Sequence, residues 1–166
     1  LARAQSEQTW TDPSGRFSLS FSALGWTELT PPADNPGSLL GIEHRVLQEG
    51  GRMRTCFVSE RRQPVPNDGR LTQPNLNVVT NTMGLGGLER TIGTPPIRGE
   101  VITVDGVAVI DAVFDGPTRM YMRVFYMKDG AELVQIVINC GAGIPVEAEV
   151  ESNITALLQT LRINPE

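Results

Sequence analysis

The sequence has 166 residues, of which 14 are basic and 19 acidic, so its formal net charge is −5. This length suits one domain, which buries about 70% of the surface that its unfolded chain exposes. The charge argues against nonspecific binding to nucleic acids or anionic membranes, which depends on clustered Lys and Arg, and no run approaches the ~18 apolar residues of a membrane span.

The N-terminus has an export-like pattern. Leu1 is followed by Ala2-Arg3-Ala4, a small-x-small arrangement typical of a signal-peptidase site; an ordinary disordered N-terminus is the alternative. We interpret residues 1–10 as a disordered tail left by signal-peptide processing and residues 11–166 as one domain. We therefore expect a periplasmic or secreted protein.

The first structured segment is a turn followed by a strand. Residues 12–15 (DPSG) predict a type I turn, and the alternation of Phe17, Leu19 and Phe21 with polar residues predicts a strand. Residues 25–29 form a further extended piece. We interpret Trp10 and Trp26 as residues that cap a core, with a ligand cleft as the alternative.

A hairpin is predicted where residues 39–47 and 52–60 flank Gly50-Gly51. With a two-residue turn, Ile42, His44 and Phe57 share one face, and Cys56 lies on the other. The only histidine and Cys56 would then be unable to meet. The four arginines of this region are interpreted as a solvated surface: Arg52, Arg54, Arg61 and Arg62.

The two cysteines are far apart in sequence. Cys56 and Cys140 suit one disulfide in an oxidising compartment, and two buried, unpaired thiols are the alternative, because each Cys lies in a strand pattern where a small apolar residue fits.

Residues 61–100 are the least regular part of the chain. Leu76, Val79 and Met83 have the spacing of one face of a short helix that ends at Gly84. Residues 84–88 (GLGGL) suggest a phosphate loop, but they follow no strand and lack both the GxGxxG order and a Walker lysine. We interpret them as a flexible connection.

From residue 101 the pattern predicts an antiparallel meander, with strands at 101–104, 106–114, 119–127 and 132–140. Asp129-Gly130 predicts a type I′ turn, which places Phe125 opposite Val134 and Tyr121 opposite Ile138. Residues 119–127 are largely apolar on both faces, which favours a central hairpin. One face carries Tyr121, Arg123, Phe125 and Met127, and the other carries Met120, Met122, Val124 and Tyr126.

A C-terminal amphipathic helix follows. Pro145 is placed in its first turn and Arg162 in its last, and an apolar stripe faces the core: Val146, Val150, Ile154, Leu157, Leu158 and Leu161. The fold class is therefore α+β, with a central antiparallel sheet flanked by helices and the C-terminal helix packed on the sheet.

The residue types point to no particular chemistry. One histidine and two distant cysteines do not make a tetrahedral zinc site, and a G-x-S-x-G elbow is missing. Glu147/Glu151 and Glu43/Glu60 are interpreted as helix-end and strand-surface charges. We assign no catalytic, metal-binding or cofactor-binding residue and no cofactor.

The two ends of the chain resemble a known fold. DPSGRFSLSFSALGW (12–26), MYMRVFYMKDGAELVQIVINC (120–140) and ITALLQTLRI (154–163) are similar to the PsbP-like fold of photosystem accessory subunits, DcrB-type bacterial envelope lipoproteins and a Ran-binding nuclear factor. The resemblance implies a sheet between helices and a noncatalytic role. No lipid-acceptor Cys stands at the start of this chain, so no lipid anchor is expected.

Three functions follow as hypotheses. The first is a noncatalytic exported accessory module of a bacterial cell envelope, which binds a protein or a small ligand and no nucleic acid. The second is a small hydrolase or thiol enzyme that uses His44 or Cys56. The third is a hydrophobic-ligand carrier, which requires an apolar cavity between helix and sheet. Any working surface is expected in residues 61–100 and the adjoining loops, and not in residues 119–163.

Overall fold

The computed structural model describes residues 9–29, 36–44, 54–65 and 69–165. Within these ranges, ten strands form two antiparallel sheets: a seven-stranded sheet in the order β3-β4-β5-β9-β8-β7-β6 and a three-stranded sheet in the order β1-β2-β10. The strands are β1 Thr9–Thr11, β2 Phe17–Ser20, β3 Trp26–Leu29, β4 Ser38–His44, β5 Arg54–Pro64, β6 Arg98–Val104, β7 Val107–Asp115, β8 Thr118–Asp129, β9 Glu132–Gly143 and β10 Arg162–Ile163.

A helical segment covers each face of the large sheet. On one face, α1 (Gln73–Val79), a π turn (Thr80–Gly84) and α2 (Leu85–Ile92) form one continuous helix. The other face shares its core with the small sheet and with α3 (Ala148–Gln159). The predicted α+β class and the packing of the C-terminal helix are confirmed.

The N-terminal predictions hold, with one correction. The turn at Asp12 is closed by a hydrogen bond from Gly15 N to Asp12 O at 2.7 Å, and Phe17 and Leu19 are buried. Trp26 is also buried, as a core residue should be. However, Thr9 and Trp10 pair with β2 as part of β1 and do not belong to a disordered tail; residues 1–8 lie outside the described residues.

The β8–β9 hairpin is central, as predicted, but its register differs. Phe125 is opposite Ile136 and Tyr121 is opposite Cys140, so the strands are shifted by two residues from the predicted pairing. The reason is the turn, in which Gly130 adopts a positive φ of 62° and Asp129 does not, so Asp129 still pairs with Glu132. A shift of two residues keeps every side chain on its predicted face.

The predicted β4–β5 register is wrong. Ile42 is opposite Cys56 and Leu40 is opposite Val58, with an irregularity between Ser38 and Leu40. His44, Ile42 and Cys56 therefore share the core face, whereas Phe57 lies on the other face and is 46% exposed. The pairing differs by an odd number of residues, which exchanges the two faces of a strand. Gly50-Gly51 lies outside the described residues.

The C-terminal helix confirms the predicted apolar stripe, since Val150, Ile154, Leu157 and Leu158 are buried. Its bounds differ from the prediction. The helix begins at Ala148 after Glu147 as N-cap, so Pro145, which follows a cis peptide bond, precedes the first turn. Arg162 belongs to β10 and not to the helix.

Candidate functional site

Residues 73–92 form one continuous helical segment. The predictions of a short helix that ends at Gly84 and of a flexible connection after it are therefore wrong. The chain remains helical through the glycine-rich residues 84–88 and ends at Gly93, whose φ is 89°. Leu85, Leu88 and Ile92 pack against a second core formed by β7 and β8 residues, and this burial offsets the low helix propensity of glycine. Residues 84–88, which were interpreted as a flexible connection and not as a phosphate loop, therefore lie inside a helix.

The helical segment also presents a different face from the one predicted. Leu76 is buried, but Val79 and Met83 are 52% and 61% exposed. The buried or sheet-facing positions are Leu76, Thr80, Gly84, Leu88 and Ile92, which are spaced four residues apart. On an ideal α-helix such a stripe drifts by about 40° every four residues. The wider π turn takes up part of this drift, and Val79 and Met83 are left on the solvent side.

A groove lies where this helix meets the uncovered ends of β5 and β9. Its apolar part is a cavity of about 260 Å³ whose lining includes Leu76, Val79, Met83, Tyr126 and Leu133. The π turn contributes directly, because Thr80, Met83 and Gly84 all line it. π turns inside helices often occur at functional sites.

The polar part of the groove is a cavity of about 390 Å³ that continues from Tyr126 and Leu133, which line both parts. Arg61, Gln63 and Gln135 contribute side chains here. They share one face because Arg61 pairs with Gln135, and Gln63 pairs with Leu133, across β5 and β9. Gln135 Nε2 donates to the Tyr126 hydroxyl at 3.0 Å. We refer to the two cavities together as the binding groove.

The binding groove is positively charged although the chain is acidic. Arg61, Arg62 and Arg90 line it, and none of the described residues that line it is a carboxylate. Arg62 is neutralised, because it lies 3.0 Å from Glu60 and 2.9 Å from Asp129, and hydrogen bonds to these two carboxylates raise the pKa of Arg62 above its ordinary value. Arg61 and Arg90 are exposed and form no ion pair with any described residue.

The two cysteines form a disulfide in the centre of the sheet. Cys56 and Cys140 are directly opposite on β5 and β9, and both are buried. In this form neither has a thiol that could act as a nucleophile.

His44 is a buried core residue. Its Nε2 lies 2.9 Å from Leu24 O, and its ring packs edge-on against Trp26. Gly25 allows this approach, since a Cβ there would lie 2.7 Å from His44 Nε2. The structure therefore brings His44 and Cys56 to one face, contrary to the sequence prediction, but within the packed core.

The carboxylate pairs do not form acid–base sites. Glu43 and Glu60 occupy opposite faces of their strands, and Glu60 contacts Arg16 at 2.7 Å. Glu147 occupies the N-cap position of α3, and Glu151 lies 3.8 Å from Arg98. Within the described ranges, no group of three or more His, Cys, Asp or Glu is placed to hold a metal ion.

Sequence reasoning located half of the binding groove. Arg61, Val79 and Met83 lie in the stretch in which a working surface was expected, whereas Tyr126, Leu133 and Gln135 come from the hairpin that was set aside. The available signal was the hydroxyl of Tyr126 and the amide of Gln135, which share a face of the hairpin with Val124 and Val137.

The architecture of this chain is similar to that of solved proteins. No protein-family model matches the chain, and no curated protein matches it. Cyanobacterial PsbP (CyanoP) from Synechocystis sp. PCC 6803 aligns over 99% of this chain and 97% of its own, with a TM-score of 0.55 and 11% identity. LpqN of Mycobacterium tuberculosis, which is involved in cell envelope biogenesis, aligns over 96% of this chain and 91% of its own, with a TM-score of 0.62 and 11% identity.

The chain has the PsbP-like fold. The structural alignment extends over nearly the whole chain. It therefore includes the middle of the chain, whereas the resemblance seen in the sequence was confined to the two ends. At this level of identity the likeness shows the fold alone. Among the described residues of this PsbP-like domain, no helix has the length and apolarity required to cross a membrane.

Proposed function

We propose that this PsbP-like domain is a noncatalytic accessory module of a bacterial cell envelope, and that it binds a protein or a small ligand through the binding groove. The composition of the groove is the observation that supports this proposal. The groove combines exposed apolar side chains with unpaired arginines and side-chain amides, a composition that suits recognition. Among the described residues, its lining holds no histidine, cysteine or carboxylate that could act as a general base or nucleophile.

Export is supported by the disulfide. Disulfides persist in oxidising compartments and are rare in the reducing cytosol, and the Cys56–Cys140 bond lies within the buried core. The fold adds support, because LpqN, which shares it, is involved in cell envelope biogenesis.

The test is site-specific photo-crosslinking in the source cells. A benzoylphenylalanine crosslinker at position 79 lies in the groove, whereas the same group at the neighbouring position 78 does not line it, although Val78 is also exposed. We expect the tagged chain in the envelope fraction, with both cysteines blocked and an adduct from position 79 only.

Two results would overturn the proposal. A chain found in the cytosol with free thiols would remove the envelope assignment. Equal adducts, or none, from positions 78 and 79 would remove the groove as the binding surface.

A further inference from the structure

We infer that the binding groove accepts a peptide segment of a partner protein in which a large apolar side chain has carboxylates on both sides. The inference rests on the proposed function and specifies the partner's chemistry. It is carried by three features of the groove: its charge, its apolar part and its amides.

The first feature is the positive charge of the groove, which would complement an acidic partner. The chain has a net charge of −5, yet the described part of the groove is lined by arginines and by no acid. Arg61 is on β5 in the polar part and Arg90 is on α2 in the apolar part, so each part of the groove is lined by an arginine that forms no ion pair with a described residue. Arginine binds carboxylates in a bidentate geometry, and a partner with acidic residues on both sides of its anchor would meet both guanidinium groups.

The apolar part provides the anchor site. Val79 and Met83 are more than half exposed, and Tyr126 and Leu133 form the floor beside them. Apolar side chains at the centre of an interface contribute most of its binding energy when water is excluded around them. Methionine adapts to ligands of different shape. The cavity of about 260 Å³ is smaller than the range typical of sites that enclose a whole small molecule, so it suits inserted side chains better than a lipid chain.

The polar part favours a peptide as the occupant. Gln63 and Gln135 offer amide donors and acceptors, which match the N–H and C=O groups of a peptide backbone. Gln135 uses one N–H on Tyr126 and retains its carbonyl oxygen as an acceptor. The side chain of Gln63 is exposed and makes no hydrogen bond to another described residue.

The experiment uses the purified, disulfide-bonded chain and a short fluorescein-labelled peptide with two acidic residues on each side of a Leu-Phe pair. Fluorescence anisotropy measures binding at low and at physiological salt. We expect the peptide to bind, with affinity falling as salt rises. Versions with lysine in place of the acids, or serine in place of Leu-Phe, should bind at least about tenfold more weakly.

Groove variants locate the binding. Arg61→Glu and Arg90→Glu should each weaken binding by about tenfold or more, and Val79→Asp should abolish it. Val78→Asp is the matched control on the same helix and should bind as the wild type does. Unchanged circular dichroism of each variant establishes that the fold is retained.

Several results would contradict the inference. Equal binding of the acidic and lysine peptides, no binding of the acidic peptide, or binding that survives Val79→Asp would each overturn the inference. Binding of phosphatidylglycerol vesicles in place of the peptide would identify a lipid occupant and overturn it as well. If crosslinking at position 79 succeeds while the peptide fails, only the partner chemistry is wrong; if crosslinking fails, the proposed function fails.

Discussion

Glu60 is the central residue of a chain of ion pairs that joins three parts of the fold. Arg16 contacts Asp12 at 2.7 Å and Glu60 at 2.7 Å, and Glu60 also contacts Arg62, which reaches Asp129 at 2.9 Å. Burial favours the protonated form of Glu60, but hydrogen bonds from Arg16 and Arg62 outweigh it and hold the pKa of Glu60 below its ordinary value. The folded state therefore prefers the charged carboxylate.

The variant Glu60→Gln should consequently change the pH dependence of stability. A carboxylate whose pKa is lower in the folded state stabilises the protein fully above its unfolded pKa of about 4.3, and this contribution is lost as the pH falls through the folded-state pKa. We expect Glu60→Gln to be less stable than the wild type at neutral pH, with the difference shrinking below about pH 4. Urea denaturation across this range measures it.

Glu100→Gln provides the control for this prediction. Glu100 is exposed on β6 and forms no ion pair with another described residue, so its replacement should leave the profile unchanged. A difference between wild type and Glu60→Gln that stays constant from neutral to acidic pH would contradict the assigned role.

Residue types alone did not reveal these partnerships. Glu60 was paired with Glu43 by sequence, whereas the structure joins it to Arg16, 44 residues away. The contact joins Arg16, which immediately precedes β2 of the small sheet, to Glu60 on β5 of the large sheet, so it depends on how the two sheets are placed in the fold. Local sequence patterns carry no information on such distant approaches.

At the scale of elements, the continuous helix at residues 73–92 depends on one close approach. Gly84 lies in the π turn, and a Cβ at this position would lie 2.9 Å from Cδ1 of the buried Ile110 and 3.3 Å from Cγ2 of Thr80. Gly86, two residues later, has only the Arg90 guanidinium nearby, at 3.8 Å. The same substitution at these two glycines therefore separates packing from helix propensity.

Gly86→Ala should raise the free energy of unfolding by about 0.5–1 kcal/mol, the gain expected when alanine replaces glycine inside a helix. Gly84→Ala has the same gain but must displace Ile110, and overpacking of a core costs about 1–3 kcal/mol. We expect Gly84→Ala to be less stable than Gly86→Ala by at least about 1 kcal/mol. Chemical denaturation of both variants makes the comparison, and equal stabilities would show that Gly84 is not a packing requirement.

The elements differ in how well the sequence predicted them. The two faces of β8 were predicted correctly, because both faces are buried and strand alternation determines them. The register of β4–β5 was wrong, because it was predicted from a two-residue turn at Gly50-Gly51, whereas the pairs from Leu40 to Glu43 are displaced by three residues from that alignment. The helix through residues 84–88 was missed because tertiary packing of Leu85 and Leu88 overrides glycine's propensity.

At the scale of the whole molecule, the disulfide is the strongest single constraint. Cys56 and Cys140 are separated by 84 residues, and closing a loop of this length stabilises a fold by about 4 kcal/mol in the chain-entropy model. We expect the double variant Cys56→Ala, Cys140→Ala to lose about that free energy of unfolding, measured by urea denaturation against the oxidised wild type.

Thiol titration gives the matching control. The oxidised protein should show no reactive thiol even when denatured, and should show both after reduction. Because both cysteines are buried, a mild reductant should act on the folded chain only slowly. Two reactive thiols in the denatured, unreduced protein would contradict the bond.

The overall architecture was predictable from the ends of the chain, whereas the binding groove was only half predictable. The resemblance of residues 12–26 and 120–163 indicated the PsbP-like fold, and the fold extends across the middle as well. The groove is formed by the helical segment at residues 73–92 together with β5, β8 and β9, which are distributed along the chain between residues 54 and 143. Its composition depends on which strand ends the helix leaves uncovered, a property of the tertiary arrangement.

The position of the disulfide has one more consequence. Arg61, the helix at residues 73–92, Tyr126, Leu133 and Gln135 all lie between Cys56 and Cys140, so every wall of the groove belongs to one covalently closed ring. A protease that cuts the exposed connection at Gly69 or Arg70 would open this ring once without releasing a fragment. A protein with this arrangement can be nicked beside the groove and still keep both walls of the groove on a single molecule.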